Sequence, residues 1–169
     1  MTQLRIFNDN WKHYFSREKE KLLSILKGQD ICDIEHIGAT SVVLCKTAGT
    51  IDILISIPDM VEMFTIKNLL VKNGYRFVES MSNDLDELVF MRVHNGKVVC
   101  TVRLMEQACD KYRDIILFKC YLRASKKNVI KYNEYREILL KNCHGDGALY
   151  HQGKVDYITS KLAAIKPQE

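Results

Sequence analysis

The sequence predicts an α+β protein: a small mixed β-sheet with flanking helices, followed by a C-terminal helical region. Residues 50–57 read T-I-D-I-L-I-S-I, a β-branched apolar run closed by Pro58-Asp59, which marks a buried strand. Asn95-Gly96 separates two apolar runs, 88–93 and 97–105. That dipeptide is the strongest short-range hairpin signal a sequence carries, so the two runs are expected to be antiparallel neighbours. After Met105 the pattern turns helical to the end of the chain.

The elements follow in order. Asn10 or Asp9 can cap a first amphipathic helix in which Trp11, Tyr14, Phe15, Leu22, Leu23, Ile25 and Leu26 recur at helical spacing and Gly28 ends the run. Residues 31–37 alternate in a β-branched context and read as a strand. The segment 38–49 holds a turn or one short helix. It follows a strand directly, the place where ligands bind in many α/β folds. Asp59 can cap a helix to about residue 73, with Met63, Ile66, Leu69 and Leu70 inward and Asn73-Gly74 as its stop. A short strand at 75–79 precedes the hairpin. Helices are expected at 111–124, at 126–143 with Ser125 as cap, and at 148–165 after the loop 144–147; residues 166–169 read as a frayed tail. The expected organisation is a core over 1–106 and a helical region over 107–169 packed on it as one unit.

The 169 residues suit one compact unit and are too few for two full enzymatic domains. With 47% hydrophobic and 27% charged residues and only 2 Pro, the chain is neither disordered nor fibrous. The net charge of +4 is unevenly placed: residues 1–106 sum to −1 and residues 107–169 to +5. That balance does not demand nucleic acid. Six cysteines without a C-x-x-C pair, and no apolar signal core after Met1, point to a reducing cytoplasm. No H-x-x-x-H accompanies them, which argues against a structural zinc site, and no apolar run is long enough to cross a bilayer.

The chemistry concentrates in I-E-H-I-G-A-T-S-V (34–42), followed by Ile51-Asp52-Ile53. A strand ends at Gly38, which lets backbone amides approach a ligand; the hydroxyls of Thr40 and Ser41 follow, and a carboxylate sits inside the next strand. Amides and hydroxyls suit phosphate, and Asp52 suits a divalent cation. The plainer alternatives are a tight strand-to-helix turn in which Thr40 or Ser41 is an N-cap, and an Asp52 on the solvent face of an edge strand. His36 is equally a phosphate contact or acid/base group and a satisfied structural histidine. Arg103 within an apolar strand must reach water, a phosphate or a carboxylate, with Asp52 or Glu35 the expected partner.

The I-E-H-I-G-x-T-S-V block with I-D-I resembles the GrpB family, whose pattern runs I-E-H-I-G-S-T-S-V-P-G-L, then K-P and I-I-D, on the nucleotidyltransferase fold. The likeness extends to Trp11, Phe15 and Glu18, to Leu104-Met105-Glu106, to Phe118-Lys119-Cys120-Tyr121-Leu122-Arg123, and to Tyr150 with Lys154. It implies a nucleotidyltransferase-like core with a C-terminal helical bundle, and a nucleotide or other phosphate-bearing small molecule as partner. It also implies Mg2+ as cofactor on Asp52, a catalytic part for Asp52 and Glu35, and phosphate contacts from His36, Gly38, Thr40, Ser41, Lys46, Arg103, Arg123, Tyr150 and Lys154. The departures are specific. Ala39 replaces the turn Ser, Leu54 stands where the superfamily has a second carboxylate, Val43-Leu44 replaces P-G, and Ala48-Gly49 replaces K-P with Lys46 nearby. Thr101 and Arg103 occupy the later strand where the family often has histidines. Two-metal phosphoryl transfer needs several oxygen ligands. The resulting reading is a phosphate- or nucleotide-binding cleft whose nucleotidyl-transfer site is degenerate; the alternative is a non-catalytic binding or interaction module. Lys119, Arg123, Lys127 and Lys131 recur every four residues, but Ser125 breaks the helix, so they read as a solvated charged face before a nucleic-acid stripe.

Overall fold

The computed structural model describes residues 4–82 and 86–166, so the expected tail falls mostly outside the described residues, at 167–169. The first helix, α1 (Asn10–Ile25), presents Trp11, Phe15 and Leu22 to the sheet. Its start differs from the expected cap. Asn8 Oδ1 accepts the Asn10 N–H at 2.9 Å, whereas Asp9 already has helical backbone angles and makes no side-chain cap.

The first strand, β1 (Asp33–Ile37), pairs antiparallel with β2 (Ile51–Ile57). Asp59 Oδ1 accepts the Val61 N–H at 2.9 Å and opens a 3-10 turn, Met60–Glu62, that leads into α2 (Met63–Lys72). The strand expected at 75–79 shortens to β3 (Arg76–Phe77), because Glu79–Met81 winds into a 3-10 turn. The hairpin forms as expected between β4 (Leu88–His94) and β5 (Lys97–Glu106). Asn95 and Gly96 both have positive φ, 49° and 71°, the type I′ geometry that matches strand twist.

The sheet order is β1-β2-β5-β4-β3, with β2–β5 parallel and the other described pairs antiparallel. β2 is therefore an interior strand, and the edge-strand alternative for Asp52 falls away. One face of the sheet carries Ile51, Ile53, Ile55 and Ile57 with Val102 and Leu104 into a core closed by Leu22, Leu26, Ile66 and Leu70 of the helices. Fully burying each such side chain stabilises the fold by about 1.5–3 kcal/mol.

The other face carries the opposite half of each strand. Ile37, Leu54 and Met105 pack there beneath Tyr112, Ile115 and Ile116 of α3 (Asp110–Ala124). Ser125 ends α3, and its Oγ accepts the Lys127 N–H at 3.1 Å to open α4 (Lys126–Asn142). Asp146 Oδ1 accepts the Ala148 and Leu149 N–H groups at 2.8 and 3.1 Å and opens α5 (Gly147–Ile165). A third cluster, with Val42, Cys45, Phe118, Leu122, Val129, Tyr132 and Leu162, ties the segment after β1 to these three helices. No helix among the described residues is long and apolar enough to cross a membrane.

One buried charge belongs to the scaffold. Glu18 of α1 is 5% exposed, accepts the Tyr75 hydroxyl at 2.6 Å, and takes both Nε and Nη2 of Arg92 at 2.7 and 2.5 Å. Such a bidentate, charge-assisted arrangement satisfies a carboxylate that would otherwise be costly to bury.

Candidate functional site

The chain leaves β1 at Gly38 with φ 69° and ψ −170°, a conformation open essentially to glycine alone. A Cβ at this position would lie 2.3 Å from Asp52 Oδ2. The missing side chain thus brings the Asp52 carboxylate directly against backbone. Ile37, Asp52 and Thr101 are partners across β1, β2 and β5, and the next row on the same face is Glu35, Leu54 and Arg103. Asp52 therefore has Thr101 across from it and Leu54 and Arg103 in the adjoining row.

Asp52 is partly buried, and among the described residues no hydrogen bond or ion-pair contact reaches its carboxylate. Burial raises its pKa, while the positive charges of Arg103 and Lys154 pull the other way. Lys154, on α5, is also partly buried and unpaired; the ring of Tyr150 lies 5.4 Å from its ammonium. Burial lowers the Lys154 pKa and Asp52 opposes the shift. Each group thus feels the other's charge, and among the described residues the two do not close into an ion pair. His151, one turn before Lys154 on the helix, is held below its ordinary pKa by burial, then by Lys154 and Arg103.

The remaining expected site residues are engaged elsewhere. Arg103 Nη1 donates to Glu87 Oε1 at 2.5 Å, not to Asp52 or Glu35, and Lys111 binds the other oxygen of the same carboxylate. Glu87 lies diagonally across the β4–β5 pair and is 1% exposed, so it is the nearer and better desolvated partner. Glu35 is paired with Lys119 of α3, and Lys46 with Glu137 of α4. Thr40 is buried and its Oγ1 sits 2.9 Å from His36 Nε2. Ser41 Oγ donates to the Gly38 carbonyl at 2.8 Å, so neither hydroxyl caps the turn Ala39–Ser41 and the N-cap alternative does not hold. Arg123 Nη2 donates to the Ser41 carbonyl at 2.7 Å.

His36 stacks on Phe15 with ring centroids 4.6 Å apart and 9° between planes. Burial, then Lys119 and Arg123, lower its pKa to about 4, so the native ring is neutral. Between that value and the ordinary 6.5 the unfolded chain binds a proton that the native chain excludes, so stability rises with pH across this window. The contribution is full above pH 6.5 and is lost on acidification toward pH 4. A loss on the order of 2 kcal/mol is expected in denaturant titrations. An NMR titration of the His36 ring should show its midpoint near 4; a midpoint near 6.5 would contradict the buried, stacked geometry.

Two residues that organise the site gave no sequence signal. Arg136 of α4 is 3% exposed; its Nη2 donates to the Lys46 carbonyl at 2.6 Å and to Asn133 Oδ1 at 2.8 Å, and its guanidinium lies 4.3 Å from the Tyr132 ring centroid. Asn133 in turn accepts the Lys46 N–H and donates to the Leu44 carbonyl, both at 2.9 Å. Together they pin residues 44–46 to the helices.

A family profile described as "GrpB protein" matches residues 2–164. The chain belongs to the GrpB family. It is 24% identical to the Glutamate-rich protein GrpB of Alkalihalophilus pseudofirmus, over 92% of this chain and 90% of that protein. It is 26% identical to the UPF0157 protein YqkA of Bacillus subtilis, again over 92% of this chain, but spans only 45% of YqkA. The crystal structure of conserved protein GrpB from Enterococcus faecalis superposes with a TM-score of 0.77 at 17% identity, covering 94% of this chain and 99% of that one. The poly(U) polymerase Cid1, described as an RNA terminal uridylyl transferase, superposes with a TM-score of 0.55 at 11% identity, over 82% of this chain and 42% of Cid1. At these identities the structural likeness shows the fold alone: this GrpB-family chain has the nucleotidyltransferase fold.

Cid1 has been crystallised with MgATP and with MgGTP. The donor set here is thin for a divalent cation. Asp52 is one carboxylate, with Leu54 beside it on the strand and Thr101 across from it. Arg103 and Lys154 already supply positive charge. No group of three or more His, Cys, Asp or Glu among the described residues could hold a metal ion. Mg2+ typically needs oxygen ligands in octahedral array, so any ion here would depend on ligands brought by a substrate.

Proposed function

We propose that this GrpB-family protein binds a nucleotide or related phosphate ester between the β1–β2 turn and α5, without catalysing nucleotidyl transfer. The observation that carries this reading is the Asp52 carboxylate, pressed against Gly38, unpaired among the described residues and within the field of the Lys154 ammonium. An unpaired, partly buried ion of either sign is costly, and a ligand offering both a hydroxyl and an anion satisfies both. Asp52 accepts the hydroxyl. Lys154 takes the phosphate, with Arg103 adding field from its place beside Glu87. The Tyr150 ring forms an apolar wall next to the ammonium. The transferase alternative would need further carboxylates at positions filled by Leu54 and Thr101.

A thermal-shift panel of nucleoside triphosphates and diphosphates, each with and without Mg2+, is the test. At least one compound should raise Tm, and Lys154→Gln should weaken its binding about tenfold or more, the loss of one charge-assisted contact. Asp52→Asn should remove any preference for ligands with free hydroxyls while keeping pyrophosphate affinity. Calorimetry should find only weak Mg2+ binding to the protein alone. A panel in which nothing raises Tm would overturn the proposal, and tight Mg2+ binding by the unliganded protein would restore the metal-dependent transferase.

A further inference from the structure

Between the segment 41–44 and the helices α3 and α4 lies an open cavity of about 340 Å³, within the size range of small-molecule sites. Neither Asp52 nor Lys154 lines it. Its floor is apolar: Val42, Leu122 and Val129 are each 3% exposed or less. Val43 and Leu44 continue this surface at the rim, 53% and 48% exposed. Three cations stand around it, Lys12 from α1, Arg123 from the end of α3 and Lys126 from the first turn of α4, and no Asp or Glu is among the lining residues.

The rim is also strained. Leu44 has φ 67°, a left-handed conformation that a branched side chain adopts at a cost of about 1 kcal/mol or more. Asn133 holds it there through the Leu44 carbonyl and the Lys46 N–H. The consequence is that an apolar side chain stays half exposed at the mouth of a cation-ringed cavity. Arg123 fixes the opposite wall through the Ser41 carbonyl.

We infer that this cavity is a second, separate binding site, for a small amphiphilic anion: an apolar body seated on Val42, Leu44, Leu122 and Val129 with a phosphate or carboxylate among Lys12, Arg123 and Lys126. Apolar burial supplies affinity and the uncompensated charge selects the anion. Neither half suffices alone, because scattered surface cations bind inorganic anions weakly and a cavity this open holds a neutral chain weakly.

Calorimetry with octyl phosphate, octanol and inorganic phosphate as probes tests this on the full chain. Octyl phosphate should bind about tenfold or more tighter than either of the others. Lys12→Gln and Lys126→Gln, both exposed positions, should leave Tm nearly unchanged, each weaken octyl phosphate about three- to tenfold, and leave octanol unaffected. Leu44→Gly, which suits the left-handed conformation, should keep the fold and weaken octyl phosphate and octanol together. Lys154→Gln should have no effect here; if it abolished octyl phosphate binding, the anion would belong to the Asp52 site and the second site would fall. Equal binding of octyl phosphate and inorganic phosphate, or no binding of octyl phosphate, would also overturn the inference. The Lys12, Lys126 and Leu44 outcomes do not depend on whether nucleotides bind at Asp52, and Lys154→Gln tells the two sites apart.

Discussion

Glu18→Gln is expected to destabilise the protein by about 3 kcal/mol, because removing one partner of a buried ion pair leaves the other uncompensated. The figure sits at the low end for such pairs, since the Arg92 side chain is 31% exposed and can recover water, whereas Tyr75 is 1% exposed and cannot. Tyr75→Phe should cost only about 1 kcal/mol, because Glu18 keeps both contacts to Arg92. Chemical denaturation of the two variants separates these values. A Glu18→Gln loss under about 0.5 kcal/mol would place this carboxylate among ordinary surface residues.

Gly38→Ala is the second large effect, expected at about 2–5 kcal/mol from two sources that can be told apart. The first is the backbone, held at φ 69° and ψ −170° where a side chain is strained whatever the space. The second is the clash with Asp52 Oδ2, 2.3 Å from the new Cβ. Adding Asp52→Ala to Gly38→Ala should recover the clash and leave the strain, so the double-mutant cycle should show a favourable coupling of about 1 kcal/mol or more. Strict additivity would mean that the close approach of Gly38 and Asp52 does not exist in solution. The same substitution should remove any preference for ligands with free hydroxyls, as Asp52→Asn does, since it displaces the carboxylate.

Much of the fold could be read from local chemistry. The β-branched run around Asp52, the Asn95-Gly96 turn and the caps at Asp59 and Ser125 each act within a few residues, and the elements they mark lie where those signals put them. What could not be read was pairing at long range. Arg103 was expected beside Asp52 because both lie on apolar strands, and the register does bring those strands together. Its carboxylate partner nevertheless comes from Glu87, which in sequence is the end of an acidic loop with nothing to mark it as buried. Arg136 and Asn133 sit in a helix rich in charged residues, where a buried arginine looks like its exposed neighbours. Periodicity reports which face a residue occupies, but not which distant side chain will cover it. Gly38 and Asp52 were legible as a candidate site for a different reason: a glycine at a strand end and a carboxylate inside an apolar strand each break a local rule.

The parallel pairing of β2 with β5 also bears on how the chain reaches this structure. Among the described residues every antiparallel strand pair joins strands that are consecutive in sequence, whereas aligning Ile51 with Cys100 closes the long loop that holds α2, β3 and β4. Such a closure carries a larger loop entropy and is the slow step in topologies dominated by distant contacts. Asp52, Thr101 and Arg103 lie on that seam. Refolding kinetics followed from β2 should therefore lag the hairpin, and the binding surface should be among the last parts of the molecule to acquire its shape.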